Sequence, residues 1–374
     1  MPDARDSRVL LVLRTPPPYG GGEITALSLL EAFRDRFDTL EFTRVRHSKQ
    51  TQGRFTAENL RFGLAYIAVT AARIIRSRPK VLYLDIPKDF PSFLRTSGIL
   101  LVARAMRVAV VGDLAGAAFP FLEKGGWKRN LGLWFLRPVY AIRVLSPSLV
   151  SRLHVAGLDN GVSVSNGIRC EAAEEVPERR LPEVPQFLYV GKLTPAKGLW
   201  TILQFLGFCR SQHRKIHMHL VGEWESRTLE TDVMAWVRER NLEPMVTVHG
   251  LLIGEKKWEA FRRATVLLHP TLWDGQPVTI LEAFAFGLPV IATDVGAIAD
   301  TVEHGKSGFI MKESSVEEVL RGTETILADP ETYSRYAGEA RKAYEERFRR
   351  EIFVQRMEEL FLKAQTCSTH PAQP

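Results

Sequence analysis

The chain has 374 residues, more than one typical core holds, so its length indicates two domains of ordinary size. Apolar residues make up 45% and charged residues 25% of the chain, which excludes a disordered protein. The net charge of +7 indicates an anionic partner, and a nucleotide, a nucleic acid and an acidic membrane surface all fit it.

Two features indicate the compartment. The three cysteines, Cys170, Cys209 and Cys367, lack the spacing of a metal site and argue for a reducing environment rather than a disulfide framework. The apolar run near the N-terminus is too short for a signal peptide, and no stretch has the uninterrupted apolar length of a transmembrane helix. We therefore expect a cytoplasmic protein.

The N-terminal half alternates predicted strands and helices. A continuous apolar run of strand length, Val9–Leu13, precedes a glycine-rich loop and a helical pattern over Ile24–Phe33. Further strands are predicted at Lys80–Leu84, Val108–Val111 and Ala141–Leu145. This alternation indicates a parallel sheet that is covered by helices on both faces.

A second alternation follows a change in composition. Glu171–Pro185 is rich in Glu, Arg and Pro and has no apolar period, which is typical of an interdomain linker. After it, strands are predicted at Phe187–Val190, Met218–Val221, Val246–His249, Val266–His269 and Val290–Ala292. The second half is therefore predicted to be another parallel α/β domain.

The predicted boundaries follow from these patterns. Residues 1–170 form an N-terminal domain, 171–185 a linker and 186–330 a second domain. Residues 331–366 are rich in charged residues, and their apolar residues have helical spacing. We expect them to form surface helices, which could cross back to the first domain. The polar tail 367–374 is expected to be disordered.

Two loops have residues suited to binding an anion. Gly20, Gly21 and Gly22 follow the first strand and would let backbone amides approach a ligand, although a plain strand-to-helix turn fits them equally. Lys192 and Lys197 follow the first strand of the second domain, where a parallel sheet binds ligands. Their ammonium groups could hold a diphosphate, whereas the alternative is two solvated surface lysines.

The segment from His269 to Ala297 is the most informative. A strand ends near His269, a loop contains Asp274, Gly275, Gln276 and Pro277, and a helix then contains Glu282. Proline suits a first helical turn, so the amides near Val278 would point at an anion. Carboxylates on the loop and the helix could accept hydrogen bonds from the diols of ribose or a hexose, although either acid alone fits a helix cap or a solvated side chain.

Together these motifs resemble those of the retaining GT-B glycosyltransferases, in particular family 4, the glycosyl transferases group 1. VGKLTPAKG (Val190–Gly198) resembles the family's VGR-x4-KG motif, with Lys192 in place of the usual Arg and Lys197 at the family lysine. Asp274–Glu282 resembles the E-x7-E motif, with Asp274 in place of the first Glu. The pattern is completed by VSNGI (Val164–Ile168), Gly287–Ala297 and His304–Ile310.

The resemblance implies two Rossmann-like doubly wound domains that face each other across a cleft. It implies that Lys192 and Lys197 contact a donor diphosphate, that Glu282 holds the ribose and that Asp274 contacts the transferred sugar. Gln276, Pro277 and Val278 would contact sugar and phosphate through the backbone. Many relatives have a His beside the transferring sugar, and the nearest match here is Asp113, an acid whose presence puts full activity in question.

The implied reaction moves a sugar from a nucleotide sugar, with UDP or GDP as the carrier, to an acceptor hydroxyl with retained configuration. We expect no metal and no cofactor, because lysines and helix amides supply positive charge and no D-x-D cluster stands out. The alternatives are a catalytically silent nucleotide-sugar binder and a nucleotide-sugar epimerase of similar fold. Dispersed basic residues argue against a nucleic-acid reader.

The sequence does not decide whether the acceptor is a saccharide or a lipid-linked molecule. Either would fit a role in polysaccharide or lipopolysaccharide assembly. The contacts to the acceptor are expected in the loops His47–Thr56 and Ala115–Trp127. Arg61–Arg78 is apolar with basic borders and is followed by a second such segment, which would suit peripheral contact with the inner face of an anionic membrane. Buried helices with exposed arginines explain the same pattern more simply.

Overall fold

The computed structural model describes residues 6–15, 21–43, 57–114, 116, 119–174, 176 and 178–367. The chain divides into two compact units. Unit 1 comprises Met1–Gly167 together with Arg350–Pro374, and unit 2 comprises Ile168–Arg349.

Unit 1 is a parallel α/β domain. Its strands lie in the order β2-β1-β3-β4-β5-β6, and all described pairs are parallel. The strands are β1 (Asp6–Thr15), β2 (Phe37–Thr43), β3 (Val81–Asp85), β4 (Ala109–Asp113), β5 (Ala141–Val144) and β6 (Gly161–Ser163). The helices are α1 (Gly21–Phe33), α2 (Ala57–Ser77), α3 (Phe90–Ala105), α4 (Pro120–Glu123), α5 (Gly126–Leu136), α6 (Pro147–Val155) and α14 (Arg350–Cys367).

Unit 2 has a second parallel sheet, with the order β12-β11-β10-β7-β8-β9. The strands are β7 (Gln186–Val190), β8 (His217–Val221), β9 (Val246–Gly250), β10 (Val266–His269), β11 (Val290–Thr293) and β12 (Gly308–Met311). The helices are α7 (Leu199–Ser211), α8 (Arg227–Glu239), α9 (Glu255–Arg263), α10 (Val278–Ala285), α11 (Ile298–Thr301), α12 (Val316–Ile326) and α13 (Pro330–Ala343). A π-helical turn, Tyr344–Phe348, follows α13.

The predicted fold class is confirmed for both halves, because each contains a parallel sheet with helices between its strands. Each strand predicted from the sequence coincides with an observed strand to within a few residues at either end. The prediction lacked β2, β6 and β12. In β2 the apolar residues are separated by Asp38, Thr39 and Glu41, and β6 is only three residues long, so neither has the apolar run that marked the other strands.

The described parts of the predicted linker lie within unit 2. Arg179, in the middle of that segment, donates hydrogen bonds to the carbonyl oxygens of Phe286 (2.6 Å), Ala264 (2.5 Å) and Phe261 (2.8 Å). A guanidinium that binds three carbonyl groups holds the segment against the helices of unit 2, although its composition is that of a linker. The chain passes from unit 2 to unit 1 a second time at Arg350, after α13 and the π-helical turn.

Both cores are built by the apolar strands and the inner faces of the helices. In unit 2 one cluster of buried side chains lies on each face of the sheet, and Leu188 and Leu267 belong to one cluster while Phe187 and Val266 belong to the other. In unit 1 the C-terminal helix α14 contributes Phe353, Met357 and Phe361 to the core beside α1. Among the described residues no helix is both long enough and apolar enough to cross a membrane.

Candidate functional site

The candidate site lies where the strand order of unit 2 reverses. From β7 the chain first builds outward to β8 and β9, and then returns to place β10 on the other side of β7. β7 and β10 are parallel neighbours, so the loops that follow them leave the sheet from the same edge and diverge. Such a switch point opens a crevice at the carboxyl ends of the strands, where doubly wound domains bind ligands.

Lys197 and Asp274 meet at this edge. Lys197 lies at the end of a short 3₁₀ turn after β7, and Asp274 lies in the loop after β10. The Lys197 Nζ donates to Asp274 Oδ2 at 2.5 Å and to the carbonyl oxygen of Trp273 at 2.9 Å. The structure therefore brings together two of the residues predicted from the sequence, in an ion pair that is about three-quarters buried.

His269 completes this cluster. It is the last residue of β10, it is buried, and its Nε2 lies 3.3 Å from Asp274 Oδ2. The second carboxylate oxygen of Asp274 accepts a hydrogen bond of 3.0 Å from the amide of Gly275. Burial by itself raises the pKa of Asp274, but the hydrogen bonds and charges of His269 and Lys197 outweigh it and lower the pKa to about 2. Asp274 is therefore a fixed anion at neutral pH.

Two glycines hold the loops of the site close together. Gly198 has φ +77° and Gly296 has φ +62°, a region that other residues rarely adopt. A Cβ atom at Gly198 would overlap the carbonyl oxygen of Pro270, and one at Gly296 would overlap that of Asp274. The amide of Ala297 also donates to the carbonyl oxygen of Gly275 at 2.8 Å. These approaches fix the backbone that carries the Asp274 carboxylate.

Glu282 forms a second ion pair, which the sequence did not indicate. It lies on α10, is 6% exposed, and its Oε1 accepts from Lys257 Nζ of α9 at 2.6 Å. Glu282 Oε2 is buried and has no hydrogen-bond partner within the described part of the chain. Burial raises the pKa of Glu282, and the nearby Lys257 ammonium opposes this rise. The open oxygen is an acceptor that needs a donor.

The loop between the two acids leads directly into α10. Gln276 is buried, and its Nε2 donates to Thr301 Oγ1 at 2.9 Å, so this side chain anchors the loop to α11. Pro277 is the N-cap residue of α10 and Val278 is its first residue. The first amides of a helix have no partner inside it, and the helix dipole favours an anion there. The predicted start of a helix at this proline is thus confirmed, and the binding of an anion by its first amides stays a prediction.

Lys192 is placed apart from this cluster. Its side chain is half exposed, and its Nζ lies 3.8 Å from Glu225 Oε1. Its carbonyl oxygen accepts a hydrogen bond of 2.9 Å from the Tyr189 hydroxyl, which fixes the backbone after β7. Lys192 therefore shares the edge of the sheet with Lys197 without contacting Asp274 through any described hydrogen bond or ion pair.

The glycine loop of unit 1 is described only in part. Gly20 lies outside the described residues, and Gly21 and Gly22 are the first two residues of α1. A Cβ at Gly22 would meet nothing within 4 Å, so no packing inside the described chain requires glycine there. Among the predicted acceptor loops, residues 47–56 also lie outside the described residues, as do 115, 117 and 118.

Asp113 is the counter-ion of a fully buried arginine. Arg143 has no exposed surface, and its Nη1 donates to Asp113 Oδ2 at 2.7 Å. The same Oδ2 accepts from the Tyr83 hydroxyl at 2.5 Å, while Arg143 also donates to Asn166 Oδ1 and to the carbonyl oxygen of Val164. The resemblance implied only that Asp113 faces the transferred sugar. The structure shows that it also has a charged partner in the core of unit 1.

Asp113 nevertheless keeps one oxygen open. Its Oδ1 is buried and has no hydrogen-bond partner among the described residues. Asp113 is the last residue of β4, so this oxygen lies at the carboxyl end of the sheet of unit 1. A structural role for Oδ2 and a ligand-facing role for Oδ1 are therefore compatible.

Three residues of these clusters were missed by sequence reasoning: His269, Lys257 and Arg143. His269 had a usable signal, since it ends a predicted strand five residues before Asp274. Lys257 lies on a highly charged helix, and no feature of the sequence distinguishes it from nearby basic residues such as Lys256 and Arg262. Arg143 interrupts the apolar strand AIRVL, and a charged residue inside such a strand is a sign of a buried partner.

The comparisons with known proteins point to one family. Residues 173–343 match the family model described as Glycosyl transferases group 1. The chain is 24% identical over 194 residues to a sucrose synthase of Denitrovibrio acetiphilus, covering 47% of this chain and 25% of that protein. It is 24% identical over 210 residues to the capsular polysaccharide biosynthesis glycosyltransferase CapM of Staphylococcus aureus, covering 54% of each. The chain thus spans about half or less of these relatives.

Solved structures share the fold over nearly the whole chain. HepE of Anabaena, in complex with UDP and glucose, has a TM-score of 0.72 and 16% identity, with 95% of this chain and 100% of that chain covered. Sucrose-phosphate synthase of Thermosynechococcus elongatus has a TM-score of 0.71 and 17% identity, covering 96% and 99%. At this level of identity the likeness concerns the fold alone.

We expect Asp274→Asn to lower the free energy of unfolding at pH 7 by about 2 kcal/mol, because folding lowers the pKa of this carboxyl from 3.8 to about 2. A lowered pKa stabilises the folded state above the ordinary pKa and loses its effect as the carboxylate is protonated. The difference should therefore shrink between about pH 4 and pH 2. Urea unfolding at several pH values measures it, with exposed Asp232→Asn as the control. A difference that stays constant with pH would contradict this account.

We expect Asp113→Ala to lower the stability of unit 1 by about 3–5 kcal/mol, because it leaves the buried Arg143 guanidinium without its counter-ion. Adding Arg143→Met should restore most of that loss, since an apolar side chain of similar length replaces the buried charge. Urea unfolding is the measurement, and exposed Asp159→Ala is the control. An equal loss in the double variant would show that the ion pair is not the cause.

Proposed function

We propose that this chain, whose residues 173–343 match the family model described as Glycosyl transferases group 1, moves a sugar from a nucleotide sugar to an acceptor hydroxyl with retained configuration. The observation that carries the proposal is the arrangement at the switch point of unit 2. There a lysine, a fixed carboxylate and the N-terminus of α10 lie around one loop, and a second buried carboxylate lies on the same helix.

The diphosphate of the donor is assigned to the cationic groups. Lys197 and the first amides of α10 flank the loop that contains Gly275 and Gln276, and Lys192 lies at the same edge of the sheet. Positive groups that are already in place stabilise negative charge as it develops on the departing diphosphate. The ion pair with Asp274 orients the Lys197 side chain before the donor arrives.

The two carboxylates are assigned to hydroxyl groups. Asp274 is anionic and reaches the same edge as Lys197, so it can accept hydrogen bonds from the transferred sugar. Glu282 Oε2 is a buried acceptor with no described partner, and a ribose hydroxyl would satisfy it. Lys257 occupies the other oxygen and favours the charged form of Glu282, which accepts hydrogen bonds only.

The finer parts of the proposal rest on the family. Retention is expected from the resemblance to the family. Metal independence and the absence of a cofactor are expected because lysines and helix amides can supply the positive charge. HepE was solved with UDP and with UDP-glucose, so UDP sugars are the first donors to test, with GDP and ADP sugars beside them. The name of CapM refers to capsular polysaccharide biosynthesis, which supports a saccharide or lipid-linked acceptor.

A catalytically silent nucleotide-sugar binder is the second candidate function. The pairing of Asp113 with Arg143 favours it, because one oxygen of this acid is committed to the core of unit 1. Calorimetry would then detect donor binding, while no acceptor would produce free nucleotide. Release of nucleotide in the presence of an acceptor would exclude this candidate.

We expect Lys197→Ala and Glu282→Ala each to lower kcat/KM for the donor at least about 100-fold, because each removes a charged contact to the donor. Nucleotide release from the donor that a thermal-shift screen selects is the measurement, with circular dichroism as the test of folding. The matched control is Lys215→Ala, because Lys215 is exposed and its ion pair with Glu183 does not involve the loop of Asp274. Full activity of both site variants would refute the proposed function.

We expect Lys257→Met to raise the donor KM about tenfold at pH 7 with a smaller effect on kcat. Without the ammonium, burial raises the pKa of Glu282 further, and the protonated acid is a poorer acceptor. The defect should therefore diminish as the pH rises, which separates lost charge from lost structure. The neighbouring exposed Lys256→Met is the control. A KM defect that is independent of pH would contradict this role for Lys257.

A further inference from the structure

The outer helices of unit 1 form one continuous face. The chain steps in one direction across the sheet from β2 through β3 and β4 to β5, and only the step from β1 to β2 goes the other way. Right-handed crossovers therefore place α2, α3 and α5 on one side of the sheet, where α2 packs on α3 and α3 on α5. α1 and α14 cover the opposite side.

α2 is apolar on both of its sides. Its inner side buries Tyr66 and Ile74, as expected of a helix packed on a sheet. Its outer side exposes Leu64, Val69 and Ile75, and the exposed positions between them are alanines. The outer side of a surface helix in a soluble domain is normally polar, so this stripe needs an explanation other than packing within unit 1.

Arginines lie at both ends of the apolar stripe. Arg61 precedes Leu64 by three residues and Arg76 follows the exposed Ala72 of the stripe by four, and both arginine side chains are exposed. These positions lie on the same side of the helix as the stripe, because residues three or four apart share a face. The outer side of α2 is thus an amphipathic pattern with cationic ends and an apolar middle.

α3 and α5 extend the apolar surface. Leu94 and Leu101 of α3 and Trp127 and Trp134 of α5 are exposed, and with the three residues of α2 their exposed fractions range from 44% to 66%. Seven of the thirteen exposed large apolar side chains in the described part of the chain lie on these three helices. A scatter of single exposed residues would not concentrate them on one side of one unit.

A groove between α3 and α5 combines both properties. It has a volume of about 190 Å³ and is lined by Leu101, Val108 and Phe135 together with Arg104, Arg107 and Trp134. The Arg104 guanidinium lies 5.5 Å from the centre of the Trp134 ring. An arginine stacked on a tryptophan at the rim of an apolar groove is a suitable site for an anionic group that has an apolar chain attached.

The positive charge of the protein is concentrated in this region. Residues 57–140 contain thirteen basic and five acidic side chains, a net charge of +8, whereas the whole chain has a net charge of +7. The rest of the chain is therefore nearly neutral. The part of the molecule with exposed apolar helices is also the part that attracts anions.

We propose that the outer face of α2, α3 and α5, here called the helical face, docks on an anionic lipid bilayer. Lipid phosphates pair with the arginines, and the leucine, isoleucine and tryptophan side chains enter the boundary between head groups and acyl chains. A nucleic acid would match the charge but would leave the aliphatic side chains exposed. This docking does not depend on the sugar-transfer activity, and it would bring unit 1 to a lipid-linked acceptor.

The test is co-sedimentation of the full chain with vesicles. One set contains phosphatidylcholine with about one third phosphatidylglycerol, and the other contains phosphatidylcholine alone. We expect binding to the anionic vesicles, at least about tenfold weaker binding to the neutral ones, and weaker binding to the anionic ones at high salt. No binding to anionic vesicles at low salt would overturn the proposal.

Matched variants separate the apolar and the charged contributions. Leu64→Gln with Ile75→Gln should weaken binding to anionic vesicles at least about tenfold, whereas Leu251→Gln with Ile253→Gln, which are even more exposed on unit 2, should not. Replacing Arg61, Arg76 and Arg104 by Gln should weaken binding about 100-fold, whereas replacing the exposed Arg210, Arg227 and Arg238 of unit 2 should have little effect. Circular dichroism and melting curves confirm that each variant folds.

The outcomes are distinguishable from those for the proposed function. Variants of the helical face that lose vesicle binding but keep sugar transfer to a soluble acceptor support the docking face. Equal loss of binding in the unit 2 control variants would show non-specific adsorption and overturn it. Binding to duplex DNA that depends on the same arginines, or a dimer broken by Leu64→Gln and Ile75→Gln, in the absence of vesicle binding would assign the face to a different partner.

Discussion

The candidate site of unit 2 depends on the neighbouring positions of β7 and β10 in a parallel sheet. These two strands are far apart in the chain, and their pairing puts the loops after Val190 and after His269 at one edge. Because the chain leaves a parallel sheet at the carboxyl end of every strand, the two loops must diverge there and leave room for a ligand. The contact between Lys197 and Asp274 follows from this one pairing.

Burial then decides what each charged group does. Asp274, Glu282 and Asp113 are all withdrawn from water, and each lies beside a cation: Lys197, Lys257 and Arg143 respectively. A buried carboxylate without such a partner would be costly, so each pair offsets the burial of its acid in the folded chain. Glu282 and Asp113 each keep one oxygen without a described partner, so a structural ion pair in either side chain is compatible with the binding role that we propose.

Unit 1 uses its residues differently on its two sides. Its inner network around Arg143 is polar and fully buried, while the outer surfaces of α2, α3 and α5 are apolar and exposed. This inverts the usual arrangement, in which polar groups meet water and apolar groups do not. Hydrogen bonds inside the unit offset the free-energy cost of burying the arginine. The cost of exposing apolar side chains to water is removed only when another surface covers them.

The sequence alone determined the fold class of both halves and most of their strands, because parallel strands buried on both faces are uninterrupted apolar runs of strand length. It also predicted that Asp274, Gln276, Pro277 and Glu282 lie on one loop and the helix that follows it, since their spacing is local, and it predicted Lys197 separately, at the end of another strand. Only the tertiary structure revealed His269 beside Asp274, Lys257 beside Glu282 and Arg143 beside Asp113. These partnerships join different elements, and the choice of partner for a buried charge is made by packing rather than by spacing along the chain. The same reason explains the exposed stripe of α2: its apolar pattern is visible in the sequence, but which of its sides faces the sheet is settled only when the helix packs.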